Sequence, residues 1–266
     1  MTYGFIGTGN MGGALARAAA KAAGPANVLL YNRTMEKAER LARELGAKTA
    51  SAEDIAARCD YVFLGVKPGQ IPALLASLKP VLERRETPAV VVSMAAGVTL
   101  KALRDNAFET CPIIRIMPNT ACAVGAGLVL YDGNDGVTET QLQGFLDGMA
   151  ACGRMERLPE NLIDAGSAVA GCGGAFACLF MEALADGAVS CGLPRDKANV
   201  YAAQMLLGAA QLALESGQPF GAMKDAVCSP GGTTIAGVRA LEEGGFRAAA
   251  MNAVIAAYEK TLALKQ

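Results

Sequence analysis

Two glycine-rich loops hold the residues of this chain whose types and spacing suit chemistry. The first is Gly7-Thr8-Gly9-Asn10-Met11-Gly12, a Gly-x-Gly-x-x-Gly set between the apolar run ending at Ile6 and an Ala-rich helical pattern. In a dinucleotide site Gly7 makes the tight turn, Gly9 lets backbone approach the pyrophosphate, and Gly12 lets helix pack on strand. The diphosphate then rests on the free N–H groups and positive dipole end of the following helix. The second loop is Ser229-Pro230-Gly231-Gly232-Thr233-Thr234, a glycine turn that also runs into a helix and carries hydroxyls at its start. Taken alone it reads as an ordinary capped turn. Beside a dinucleotide site it reads as a second anion site, most simply for a substrate carboxylate.

The stretch after the second strand bears on which dinucleotide is bound. An NAD site places a carboxylate about 20 residues past the glycines, on the ribose 2′-OH. Asn32 occupies that place, and neither it nor Tyr31, Arg33 or Thr34 is acidic. Arg33 suits a 2′-phosphate, with Asn32 and Thr34 adding hydrogen bonds, so NADPH is expected, with NADH a less preferred substitute. The plain alternative is a surface arginine.

Composition narrows the chemistry. The 266 residues are 52% hydrophobic and 18% charged, with a formal net charge of −1, so a folded core is expected and nucleic acid is an unsuitable partner. No histidine is present, which excludes histidine-base dehydrogenases and Ser-His-Asp or Cys-His hydrolases. The 8 cysteines include no Cys-x-x-Cys, so no metal is expected, and most of them read as small core residues in a reducing cytosol. Nothing at the start resembles a signal peptide, and the uncharged stretch from Ala165 to Met181 falls short of the about 20 strongly apolar residues of a membrane span. A cytoplasmic protein that engages no membrane is expected.

The elements that must position the loops follow a grammar that changes once. Strand patterns at Tyr3–Ile6, Val28–Tyr31, Ala47–Thr49, Tyr61–Leu64, Pro88–Ser93, Ile113–Met117, Gly127–Tyr131 and Arg154–Leu158 alternate with helical ones, as in a doubly wound parallel α/β sheet. Three turns at strand ends join the candidate cofactor site: Val66-Lys67-Pro68, the small-residue turn Met94-Ala95-Ala96, and Asn119 after the sixth strand. Such sheets bind ligands at the carboxyl ends of their strands. From Glu160 on there are only helical patterns, at about 162–191, 195–216, 222–227, 233–241 and 247–264. The expected division is therefore 1–159 and 160–266. So apolar a helical half calls for a partner subunit.

At these residues the chain resembles the pyrroline-5-carboxylate reductases. The resemblance spans essentially the whole length, through GTGNMG at 7–12, NRT at 32–34, VKP at 66–68, SMAAG at 93–97, RIMPNT at 115–120, EALADGAVSCGLPR at 182–195 and SPGGTTIAG at 229–237. It implies a Rossmann-type NAD(P)H domain followed by a helical dimerisation domain. The helical parts interlock in a homodimer with the active site at the interface, and dimers commonly assemble into rings. The implied substrate is a cyclic imine carboxylate, reduced to L-proline by hydride transfer. The substrate carboxylate is held by Ser229, Gly231, Gly232, Thr233 and Thr234. Thr234 and Glu160 are implied near the reacting groups, Thr234 as a candidate proton donor and Glu160 alternatively as a plain helix-start carboxylate. A protonated imine is already electrophilic, which accords with the absent histidine. Departures from the family pattern are Ala170-Gly171-Cys172-Gly173-Gly174, Ala121 and Cys228, which bear on substrate tolerance. The alternatives are a reductase of another cyclic imine and a nucleotide sensor without catalysis. A β-hydroxyacid dehydrogenase would need a lysine base that 162–191 lacks.

Overall fold

The N-terminal strand β1 (Tyr3–Ile6) lies in the interior of an eight-stranded sheet and is buried along its whole length. The computed structural model describes residues 1–263. The chain alternates from β1 to helix α1 (Asn10–Ala23), β2 (Val28–Tyr31), α2 (Met35–Leu45), the two-residue β3 (Lys48–Thr49) and α3 (Ala52–Arg58). It continues through β4 (Tyr61–Leu64), α4 (Ile71–Leu82), β5 (Val90–Ser93), α5 (Leu100–Asn106) and β6 (Ile113–Met117). Then come β7 (Gly127–Gly133), α6 (Glu139–Met149), β8 (Gly153–Arg157) and α7 (Glu160–Ala170). Helices alone follow: α8 (Gly173–Ser190), α9 (Arg195–Ser216), α10 (Phe220–Ala226), α11 (Thr233–Glu243) and α12 (Phe246–Ala263). Residue 264, the expected end of the last helix, lies outside the described residues.

The strand order is β3-β2-β1-β4-β5-β6-β7-β8. One expectation is corrected here: β7 runs antiparallel to β6, so the sheet is mixed. Its physical reason is the connection. Residues 118–126 are too few for the crossover of a dozen or more residues that a parallel neighbour requires. β8 returns parallel to β7 after the longer path through α6.

Local chemistry starts and stops these elements. Ser51 caps α3 by accepting the Asp54 N–H at 3.0 Å, as its spacing predicts. Thr138 and Gln141 form a reciprocal capping box at α6, and Gly46 ends α2 in the left-handed region. On one face of the sheet Phe5 stacks on Phe63 with centroids 4.5 Å apart, beneath α1 and α6. The phenol hydroxyls of Tyr3 and Tyr61 donate to the Gly144 and Gln141 carbonyls of α6, each at 2.8 Å. The other face buries Ile6, Val62, Leu64 and Val91 with side chains of α3, α4 and α5.

The chain divides into two compact units, Met1–Cys172 together with residues 257–263, and Gly173–Ala256. α7 thus belongs with the sheet, against which Ile163, Asp164, Ser167 and Ala168 are buried. The segment expected as one helix over 162–191 is two helices, parted at Gly171 and Cys172, whose N–H groups both donate to the Ser167 carbonyl (2.8 and 3.1 Å). By length and composition alone, the stretch Glu160–Ser190 reaches what a membrane span needs, with a mean hydropathy of 1.7, and 11% of that window is buried.

In the second unit α8 and α9 pack through Ala185, Ala198 and Ala202, and Arg195 pairs with Asp186 at 2.6 Å. Leu179, Met205, Leu207, Leu214, Phe220 and Met251 stand exposed on it. An apolar surface of this kind marks an association face.

Candidate active site

The carboxyl ends of β1, β2, β4 and β5 finish level, with Ile6 opposite both Tyr31 and Leu64, and Leu64 opposite Ser93. This register brings the loop at Gly7–Gly12, the Asn32–Thr34 segment, the Val66–Pro68 turn and the Met94–Ala96 turn to one edge of the sheet. That edge is where the strand order reverses, between β1 and β4.

The loop is built on backbone contact. Gly7 has φ 104°, a left-handed value that only glycine adopts without strain. A Cβ on Gly12, or on Gly65 at the end of β4, would run into the Gly7 carbonyl oxygen. Gly65 was not singled out in the sequence. Its signal is a glycine directly after a buried strand, but its partner is 58 residues away. A Cβ on Gly9 would meet nothing within 4 Å. The backbone there faces open space, as the approach of a pyrophosphate requires.

Two further observations test the fit of a dinucleotide. α1 has no capping side chain and no acidic residue in its first turn, leaving its N–H groups to an anion. Thr8 Oγ1 is buried without a hydrogen-bond partner beside that helix start. These residues fit the group. The Thr8 N–H donates to Asn32 Oδ1 at 3.2 Å, and Asn32 Nδ2 donates to the Thr34 carbonyl at 3.0 Å. Asn32 therefore ties the loop to β2. A cleft of about 430 Å³ beside the loop is lined by Thr8, Gly9, Asn10, Lys37, Arg40 and Thr120, among others. Arg17 on its wall is occupied by Glu44 at 2.9 Å, and that ion pair holds the Glu44 carboxyl below its ordinary value. Arg33 is exposed and lies outside the cleft wall.

Of the remaining positions, the Lys67 N–H is bonded by Gln70 Oε1 at 3.3 Å at the start of a short turn. Asn119 has both ends of its amide engaged: Nδ2 donates to the Ala170 carbonyl at 3.0 Å, and Oδ1 accepts the Leu128 N–H at 3.3 Å. Glu160 Oε1 accepts the Leu100 N–H at 2.6 Å and an Arg115 Nη1 donor at 3.2 Å. Arg115 also donates through Nη2 to Asp164 Oδ1 at 2.6 Å. This buried ion cluster was not anticipated. An arginine within a strand and carboxylates on a helix have no sequence spacing that pairs them.

The second loop lies in the helical unit. Gly231 is left-handed at φ 69°, the Gly232 N–H donates to the Ser229 carbonyl at 3.0 Å, and α11 starts at Thr233 without a side-chain cap. Ser229, Gly231, Thr233 and Thr234 are exposed, and the first N–H groups of α11 are left without a side-chain cap.

A doubly wound sheet with an open glycine loop at its switch point, joined to a helical unit, is the architecture of a dinucleotide-binding protein. Residues 160–264 match the family model for pyrroline-5-carboxylate reductase dimerisation, and residues 2–97 match that for NADP oxidoreductase, coenzyme F420-dependent. The chain belongs to the pyrroline-5-carboxylate reductase family. It is 40% identical to the pyrroline-5-carboxylate reductase of Escherichia coli K12, across 97% of this chain and 96% of that one. It is 38% identical to pyrroline-5-carboxylate reductase 3 of Macaca fascicularis, across 96% of this chain and 92% of that one. The structure of Plasmodium falciparum pyrroline carboxylate reductase with NADP bound superposes with a TM-score of 0.89 at 32% identity, covering 100% of this chain and 98% of that one. The dimerisation match accords with the apolar surface of the helical unit.

Proposed function

We propose that this chain reduces 1-pyrroline-5-carboxylate to L-proline, as a homodimer in the cytoplasm. The observation that carries this is the open backbone at Gly9 beside an uncapped helix start, in a chain that aligns with its family end to end. NADPH, when bound, supplies the hydride that adds to the imine carbon, while the electron pair of the C=N bond passes to nitrogen.

The residues of the chain bind and orient. Ile6 through Gly12 hold the pyrophosphate on the α1 N–H groups, and Asn32, Arg33 and Thr34 receive the 2′-phosphate. Val66, Lys67 and Pro68, the Met94-Ala95-Ala96 turn and Asn119 border the nicotinamide. Ser229, Gly231, Gly232 and Thr233 hold the substrate carboxylate at the start of α11. Thr234 stands toward the imine nitrogen and is its candidate proton donor. Once the imine nitrogen is protonated its carbon is strongly electrophilic, so the larger task is alignment of the reacting atoms within roughly 3–3.5 Å. Interlocked helical units, with dimers gathered into a ring, would cover the exposed side chains of α8 to α12.

The test is the fall of NADPH absorbance with three substrates: 1-pyrroline-5-carboxylate, pyrroline-2-carboxylate and a six-membered cyclic imine carboxylate. Turnover is expected with the first. Turnover confined to either of the others establishes a different imine reductase, and none with any leaves a nucleotide-binding protein.

A further inference from the structure

Arg115 on β6 is 1% exposed, and no step of the reduction uses it. Its two carboxylate partners, Glu160 and Asp164, are four residues apart on α7 and so face the strand from successive turns. The Glu160 N–H donates in turn to Asp132 Oδ2 at 2.8 Å, and Asp132 is the residue opposite Arg115 in the β6–β7 register. Four charged side chains are therefore gathered at one place, two of them, Arg115 and Asp164, buried. Well-packed apolar side chains of similar volume would be about as stable, so stability alone gives little reason for the cluster.

What the cluster holds gives a better one. Glu160 Oε1 accepts the N–H of Leu100, the first residue of α5. Between Leu100 and the end of β5 at Ser93 lies the Met94–Gly97 turn. That turn is fixed at its start by the sheet, where Ser93 sits in register beside Arg115 itself. At its end it is fixed through the Glu160 carboxylate. Thr99 caps Ala102 and leaves the Leu100 N–H to Glu160.

We propose that Arg115 and Asp164 are positioning residues for the hydride transfer: they lock Glu160 onto the first N–H of α5 and so set the Met94–Gly97 turn beneath the nicotinamide. This rests on the reading of that turn as the floor of the ring. A displaced floor moves the ring relative to the substrate, and misplacement of reacting atoms by about 1 Å costs on the order of a hundredfold in rate.

The experiment uses the full chain and four variants, E160A, E160Q, D164N and A96V. It measures kcat, KM for each substrate, the primary isotope effect with NADPH deuterated at the transferred position, and melting temperature. E160A is expected to lose roughly ten- to a hundredfold in kcat, with a larger isotope effect and an imine KM near the parent's. E160Q keeps an oxygen for the Leu100 N–H and is expected to recover most of that loss, and D164N to fall between them. If E160A does not fold, D164N and E160Q carry the comparison. A lowered melting temperature with parental kcat and isotope effect overturns the proposal, as does E160Q as impaired as E160A. A96V enlarges an exposed side chain on the turn itself. If A96V leaves NADPH turnover unchanged, the reading of the turn fails and the proposal with it. If A96V impairs turnover while the other three do not, only the proposal fails.

Discussion

The backbone N–H of Thr8 donates to the side-chain oxygen of Asn32 at 3.2 Å, joining the glycine loop to the strand that ends in the cofactor-selective segment. Asn32 is therefore a strap as well as a proposed ligand. Asn32→Asp keeps the oxygen for Thr8 but loses the donor to Thr34 and adds a charge beside the 2′-phosphate. Like charges at 4 Å repel by about 1–4 kcal/mol at protein surfaces. The expected outcome is a fall in kcat/KM with NADPH and little change with NADH, measured in parallel assays.

Arg33→Ala should raise KM for NADPH by roughly tenfold, about 1.4 kcal/mol of lost phosphate pairing. KM for NADH should stay within about twofold. Equal damage to both cofactors removes Arg33 from the 2′-phosphate site.

Two glycines of the loop, Gly12 and Gly9, should fail in different ways. At Gly12 an added Cβ meets the Gly7 carbonyl, so Gly12→Ala must shift backbone and is expected to lower the melting temperature as well as NADPH binding. At Gly9 an added Cβ meets no protein atom within 4 Å, so Gly9→Ala should fold normally and lose only the nucleotide. Thermal denaturation with and without NADPH separates the two.

Thr234→Ala should depress kcat by roughly ten- to a hundredfold if its hydroxyl serves the imine nitrogen, with Thr234→Ser recovering most of it. Because the side chain is exposed in the helical unit, the melting temperature should hardly change. A parental kcat for Thr234→Ala removes the hydroxyl from the reaction.

Burial pushes the thiols of Cys59 and Cys111 from 9.0 up to about 12. The folded value lies above the unfolded one, so the stability these thiols contribute is complete below about pH 9 and is lost as pH rises toward 12. Urea unfolding across that window should show declining stability, less steep in Cys59→Ala. At pH 8 both thiols should resist iodoacetamide until the chain is unfolded.

Much of the candidate site was legible because its chemistry is local. A glycine loop after a buried strand, a cationic segment where an acid would select NAD, and a second glycine turn before a helix each declare themselves within about ten residues. The capping of α3 by Ser51 was readable for the same reason. What spacing could not reveal is contact between distant segments. Gly65 against Gly7, and Arg115 between Glu160 and Asp164, join residues 45 to 58 positions apart, and only the pairing of strands and the packing of α7 on the sheet bring them together.

The sequence by itself determined that a dinucleotide site opens the chain, that strands give way to helices near Glu160, and that no histidine takes part. Those follow from residue type and short-range periodicity. The tertiary structure decided that β7 turns back antiparallel, because the connection before it is too short to cross over. It also decided that Glu160 is engaged by Arg115 and the start of α5, because a buried guanidinium must find its carboxylates wherever the fold places them.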